Sequence, residues 1–575
     1  MSSIVVALLA FVGYVIAYHT YGKFLGRKLF GLSEDRQMPA KEFNDGVDFV
    51  PSKKNIVFGH HFTTIAGLGP IVGPAIGIIW GWLPALIWVF FGAIFMGGVH
   101  DFSTMVISGR NRGKTIGDLT GDIISPGTRY VFQFIMQLLL LIVLAVFAMI
   151  VGVLFEQYPE SVFPIWIEVP IAVWLGYNVR KGRSDLLYSI IAVVLLYLSI
   201  YVSVYYLPPI KVPPIMGSSV VTWALVLYVY AFFASTVPVQ KLLQPRDYIN
   251  SHQLLMAIGL LLLGLIVAHP SLTAPAVNSR AFLADDVPAL MPLLFITIAC
   301  GAISGFHSLA STGTTIKQVE KENHTLFIGY GSMLTEGFLA VLVILAVAGG
   351  LGMGMEKNGT LLTGSDAFYS HYSTWASASG LAAKLDAFIV GSANLFASIG
   401  VPKEFGAAII AVFIVSFANT TLDSSARIQR LSFQEIFKDK QGRVRRPFNN
   451  RYVSTSIVVF VAMILTFLQP GAKGALLLWP LFGALNQLVA ALALGVVVVY
   501  LILKKQNPFF ALIPMLFVLV MTIWAMFDNL ITFVGDKNYT LIILSVLIIF
   551  LTAWLLFSGL LVLFKRNKQS QLRFL

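Results

Sequence analysis

Apolar runs of about 20 residues follow one another from residue 3 to residue 563, more than the core of a soluble fold could bury. A run of that length matches the hydrocarbon thickness of a bilayer, where a helix satisfies all its backbone groups within itself. Candidate spans lie near 3–19, 56–79, 83–107, 130–154, 163–178, 186–207, 219–238 and 252–269. More follow near 289–310, 327–351, 405–426, 452–468, 475–501, 508–533 and 540–563, about 15 in all. Composition agrees, since 11% of the 575 residues are charged, against about 25% in an ordinary soluble domain. The expected class is an all-α polytopic membrane protein, one transport domain over 1–575 with the lipid bilayer as its main partner.

The charges fix an expected orientation. With the N-terminus outside, 32 of the 39 Lys and Arg fall in inner loops, including Lys53, Arg110, Lys181, Arg246, the run from Arg427 to Arg451, and the tail to Arg573. That distribution accounts for the net charge of +12 without a nucleic-acid partner. It also places the C-terminus in the cytoplasm. The segment 381–399 is apolar but holds Lys384, Asp386 and Asn394, and counting it as a span would move the Arg427 cluster outside. It is therefore expected to be a surface or re-entrant helix on the external side. No cleavable leader is expected in Ile4–Tyr18, which basic residues follow rather than precede. A single cysteine, Cys300, excludes an internal disulfide and a metal cluster built on cysteines.

Two spans contain breaks. The second reads GHHFTTIAGLGPIVGP over 59–74, where Gly67, Gly69, Pro70 and Gly73 weaken the helix in mid-span. In lipid such a break survives where it lines protein or a polar cavity, and broken spans point to a transporter's binding site. A kinked, closely packed helix is the plain alternative. A second interruption is expected five spans later, at Ser235, Thr236 and Pro238. Five being odd, spans 2–6 and 7–11 enter the membrane in opposite directions. That is the topology of a LeuT-type five-plus-five inverted repeat. The expected bounds are 56–207 for the first repeat and 219–426 for the second, with 3–19 and 452–563 as additions. The ninth span carries hydroxyls at Ser308, Ser311 and Thr312, suited to a hard coupling cation or simply to close packing.

Long motifs resemble one family. GHHFTTIAGLGPIVGPAIG (59–77), HDFSTMVISGRNRGKTIGDL (100–119) and IACGAISGFHSLASTGTT (298–315) are similar to stretches of the carbon starvation protein A (CstA) family. FANTTLDSSARI (417–428) and LWPLFGALNQLVAALAL (478–494) look like its later motifs. The resemblance implies a transporter of the bacterial cytoplasmic membrane, induced when carbon runs short, that takes up peptides or, in some members, pyruvate by proton symport. It also implies membership of the amino acid–polyamine–organocation (APC) superfamily.

Ionisable residues inside spans are functional candidates by default. His60 and His61 open the broken helix, as a relay, a substrate contact or a structural pair. Asp101 beside His100 carries a coupling proton or holds helices together; His307 titrates near neutrality when unperturbed or is a bonded core histidine. Glu336 has no sequence neighbour to neutralise it. Asp423 and Arg427 have the spacing of a helical ion pair, and Asn486 and Gln487 are expected to bond between helices. The substrate set is therefore His60, His61, Gly67, Gly69, Pro70, Gly73, Ser235 and Thr236. The cation-coupling set is Asp101, His307, Ser308, Ser311 and Thr312, with H⁺ or Na⁺ as the ion and no metal or cofactor. No HExxH, Walker A or GxSxG pattern marks an enzyme. A nutrient sensor or an uncoupled channel is the alternative to a transporter.

Overall fold

The computed structural model describes residues 2–439 and 442–571, and most of them are helical. Lys440 and Arg573, two of the expected inner positives, lie outside the described residues. Twelve described helices are long and apolar enough to cross a membrane, and the bent pair Lys54–Ile65 and Gly69–Trp80 makes a thirteenth. The expected count of about 15 is not reached by that measure. Arg451–Phe467 has 17 residues, and the run 289–310 is split into Leu290–Thr297 and Gly305–Gly313. Hydropathy sees the apolar residues of 289–310 but not the interruption of the helix.

Burial separates a centre from a periphery. The span Leu326–Met353 is 94% buried over its apolar window, Tyr539–Val562 only 28%. On the outer helix Phe509–Gly535 the exposed large apolar residues are Phe509, Ile513, Leu516, Val520, Trp524, Phe527, Ile531 and Val534, spaced by three or four. That spacing is one continuous apolar stripe, which lipid covers.

Let α1 be Lys54–Ile65 and α2 Gly69–Trp80, followed by α3 (Trp82–Arg110), α4 (Pro126–Gln157), α5 (Ser219–Thr236) and α6 (Leu243–Ala268). Then come α7 (Leu290–Thr297), α8 (Gly305–Gly313), α9 (Leu326–Met353), α10 (Leu381–Ser398), α11 (Lys403–Ile436) and α12 (Trp479–Leu503). One order of elements occurs twice. A broken helix (α1/α2) leads to α3 with a π-helical turn at Ala93–Gly97, then to the lateral helix Ile116–Ile123 and the long α4. The broken pair α7/α8 leads likewise to α9 with π-helical turns at Leu326–Gly331 and Ala346–Gly350, then to lateral α10 and long α11. The two long helices pack on each other; α6 packs on α1, as α12 packs on α8.

This arrangement corrects the expected second break. Residues 219–236 form a continuous helix, α5, and Pro238 follows its end rather than interrupting it. The interruption lies at 298–304, between α7 and α8. A hairpin of Pro159–Arg180 and Asp185–Tyr205, packed on α6 and α11, separates α4 from α5 and shifts the count. The segment 381–399 forms the 18-residue helix α10, which is not among the spans and packs against α2 and α6.

Candidate functional site

The two breaks cross. The helical ladder of α1 ends where the Ala66 N–H donates to Phe62 O at 2.9 Å, and restarts where the Ile71 and Val72 N–H groups donate to Leu68 O at 3.1 and 2.9 Å. Glycine permits the crossing at two points. A Cβ at Gly69 would stand 2.2 Å from Cys300 Sγ, and one at Gly73 would stand 2.5 Å from Thr297 O. Gly67, Gly69, Pro70 and Gly73 thus lie at the break as expected, but the backbone facing them is Thr297–Cys300. Ser235 and Thr236 are elsewhere, at the end of α5, where the Thr236 hydroxyl donates to Phe232 O at 3.0 Å.

Between the breaks lies a cavity of about 190 Å³ lined by Gly69, Val72, Gly73, Thr297, Cys300, Lys384, Trp479 and Asn486, among others. Asn486 closes the second break: its Oδ1 accepts from the Phe306 N–H at 2.9 Å and its Nδ2 donates to Ser304 Oγ at 3.0 Å. The first turn of α8, buried and without a preceding helical turn, is thereby satisfied from α12. Gln487 Nε2 donates to Phe295 O at 2.9 Å, so both amides bond between helices.

A first buried cluster joins α3, α8 and α9. His100 Nδ1 lies 2.7 Å from Asp101 Oδ1, and His307 Nδ1 lies 2.9 Å from Asp101 Oδ2. His307 Nε2 stands 3.5 Å from Glu336 Oε2, an ion-pair distance too long for a good hydrogen bond. All four side chains are fully buried. Two carboxylates in such surroundings are costly unless they are paired or protonated, and the two imidazoles are the groups within reach. His61 approaches the same region and shares a 2.9 Å bond with Thr315 Oγ1.

A second buried cluster was not legible as such. Arg246 Nη1 donates to Asp423 Oδ2 and to the Tyr230 hydroxyl at 2.6 Å each, and Tyr230 donates to Asp423 at 2.8 Å. Arg246 Nε lies 3.3 Å from Glu168 Oε1, and the adjacent Asp247 lies 2.5 Å from His60 Nδ1. Arg246 therefore is not a loop charge. The expected Asp423–Arg427 pair does not form either: Arg427 pairs with Asp48 at 2.6 Å, because its side chain leaves α11 toward the 44–52 loop. Burial alone pushes the Asp48 carboxyl up, but Arg430, Arg427 and Lys317 outweigh it and hold the group well below the usual carboxylate range. Glu168 could have been found from sequence, as an ionisable residue inside an apolar run. Arg246 and Asp247 could not, because they open a span next to a polar turn.

The expected cation hydroxyls do not converge. Ser308 donates to Gly305 O at 2.7 Å and Thr312 to Ser308 O at 2.7 Å, both within their own helix, while Thr312 Oγ1 also accepts from the Ile116 N–H at 3.0 Å. Ser311 is buried with no bond to its hydroxyl among the described residues. The hydroxyls that face the first break come from α11. Thr64 Oγ1 and Ser424 Oγ are 3.3 Å apart, and Thr421 packs on Gly67.

Residues 2–525 match the family described as Carbon starvation protein CstA. The chain is 34% identical over 568 residues to the Peptide transporter CstA of Campylobacter jejuni, covering 91% of this chain and 80% of that one. It is 31% identical over 578 residues to the Pyruvate/proton symporter BtsT of Escherichia coli, covering 89% and 80%. Among solved structures, MhsT in complex with L-phenylalanine is 11% identical with a TM-score of 0.46, over 82% of this chain and 98% of that one.

Proposed function

The chain belongs to the carbon starvation protein CstA family, and on that premise we propose that it is a secondary active transporter taking up a small carboxylate such as pyruvate, or peptides, by proton symport in carbon-limited cells. One observation carries the coupling: the Asp101–His100–His307–Glu336 cluster, buried across three helices beside the second break. The inside-negative membrane potential opposes an anion by about 2.3 kcal/mol per charge per 100 mV. A proton entering with each carboxylate removes that opposition, and the cluster offers it four adjoining acceptors. A sodium-coupled reading is favoured by one feature, the Thr64, Thr421 and Ser424 hydroxyls at the first break. The paired breaks support a five-plus-five repeat with bounds different from those expected: α1 to α6 with an inserted hairpin, then α7 to α12.

In proteoliposomes an inward proton gradient should drive accumulation of pyruvate or of a dipeptide, and labelled substrate should show counterflow. A sodium gradient alone driving uptake would replace the coupling ion; absence of counterflow would leave a sensor. The orientation that goes with this reading is N-terminus outside and C-terminus cytoplasmic, which the loop charges favour. In a Cys300→Ser background, an impermeant thiol reagent on intact cells should label Ser2→Cys and miss Lys181→Cys. The opposite pattern would invert the topology.

A further inference from the structure

Lys384 extends from the first turn of α10 into the cavity between the two breaks. It is half-buried, and its side chain has no ion pair or hydrogen bond among the described residues. Its surroundings offer nothing anionic. Asp386, two residues on, is exposed and faces Tyr158, and His371 meets the backbone at Ala383. The facing wall is Val72, Phe147, Trp479 and Phe482, with Asn486 and Thr297 as neutral polar groups and Cys300 as its other titratable one. The carboxylates of both buried clusters have partners of their own. A cation in an apolar-walled cavity loses hydration without compensation until an anion joins it.

We propose that Lys384 binds the carboxylate of a small monocarboxylate substrate at the outer approach to the crossed breaks. The proposal rests on the transporter reading above and adds to it the residue that selects for anions. Gly69, which opens α2, lines the same cavity, so the positive end of that half-helix adds to the ammonium. The cavity of about 190 Å³ has room for roughly six water molecules, enough for a molecule of pyruvate's size. Burial lowers the Lys384 ammonium to about 8. A carboxylate favours the charged form, so affinity is full below that pH and falls as the pH rises through it.

The test is direct binding of radiolabelled pyruvate to the purified full-length protein, with Lys384→Met and Lys384→Arg beside the wild type and thermal unfolding as the folding control. Lys384→Met should weaken binding about 10- to 100-fold, the loss of a charged contact, at unchanged unfolding temperature. Lys384→Arg should restore binding and remove its decline above pH 8, because arginine stays charged. Unchanged affinity in Lys384→Met would overturn the assignment while leaving the transporter reading intact. A wild type that binds neither pyruvate nor a dipeptide would overturn both, and one that binds only the dipeptide would overturn the monocarboxylate assignment alone.

Discussion

Replacing Asp101 by Asn should abolish proton-driven accumulation while substrate exchange across the membrane continues. Asparagine keeps the shape and can still bond His100 and His307, which now stand 2.7 and 2.9 Å from the carboxylate. What it removes is the negative charge that makes a proton on either imidazole affordable in a fully buried site. For a one-proton symporter each pH unit of gradient supports about tenfold accumulation, because one unit is about 1.4 kcal/mol. The wild type should follow that relation in proteoliposomes, and Asp101→Asn should stay at an internal-to-external ratio of one while retaining counterflow. Glu336→Gln, farther from the carboxylate and bridged by His307 at 3.5 Å, should reduce accumulation less. An Asp101→Asn protein that accumulates substrate as the wild type does would remove this cluster from the coupling mechanism.

Arg246→Ala should be among the most destabilising single substitutions in the chain, by about 3–5 kcal/mol, the cost of leaving buried partners uncompensated. Arg246 is fully buried between Asp423 and Glu168, so its loss strands two carboxylates in the protein interior. Lysine should not rescue it, because one ammonium cannot repeat the guanidinium's contacts to Tyr230, Asp423 and Glu168. Asp423→Asn should recover part of the loss, since it removes one stranded charge. Thermal unfolding of the two single variants and the double variant forms the cycle that measures the coupling. Additive effects, or an unfolding temperature that Arg246→Ala leaves unchanged, would show that the cluster does not hold α5, α6 and α11 together.

The near-continuous apolar runs were enough to determine a helical, many-span membrane protein, because backbone groups in lipid have no other way to be satisfied. The first break was equally local: Gly67 and Gly69 weaken the helix and Pro70 lacks an N–H, and the three stand together at it. So were the interhelical roles of Asn486 and Gln487, since polar amides in apolar helices must find partners. The long motifs carried the family.

Partnership was decided by tertiary structure. Pro238 marks a break by sequence and 298–304, which holds no proline, does not, yet the first ends α5 and the second opens the crossing, and only the inserted hairpin of 159–205 explains the count. Asp423 and Arg427 share one helix at pairing distance, but each is closer to a charge brought from elsewhere, Arg246 and Asp48. Ser308 and Thr312 donate within their own helix, and no oxygen from the first break joins them. Short-range effects such as helix breaking and hydropathy depend on neighbours in the chain and can be read from it. Which charge meets which, and which wall a lone lysine faces, depends on helices more than a hundred residues apart, and packing alone sets that.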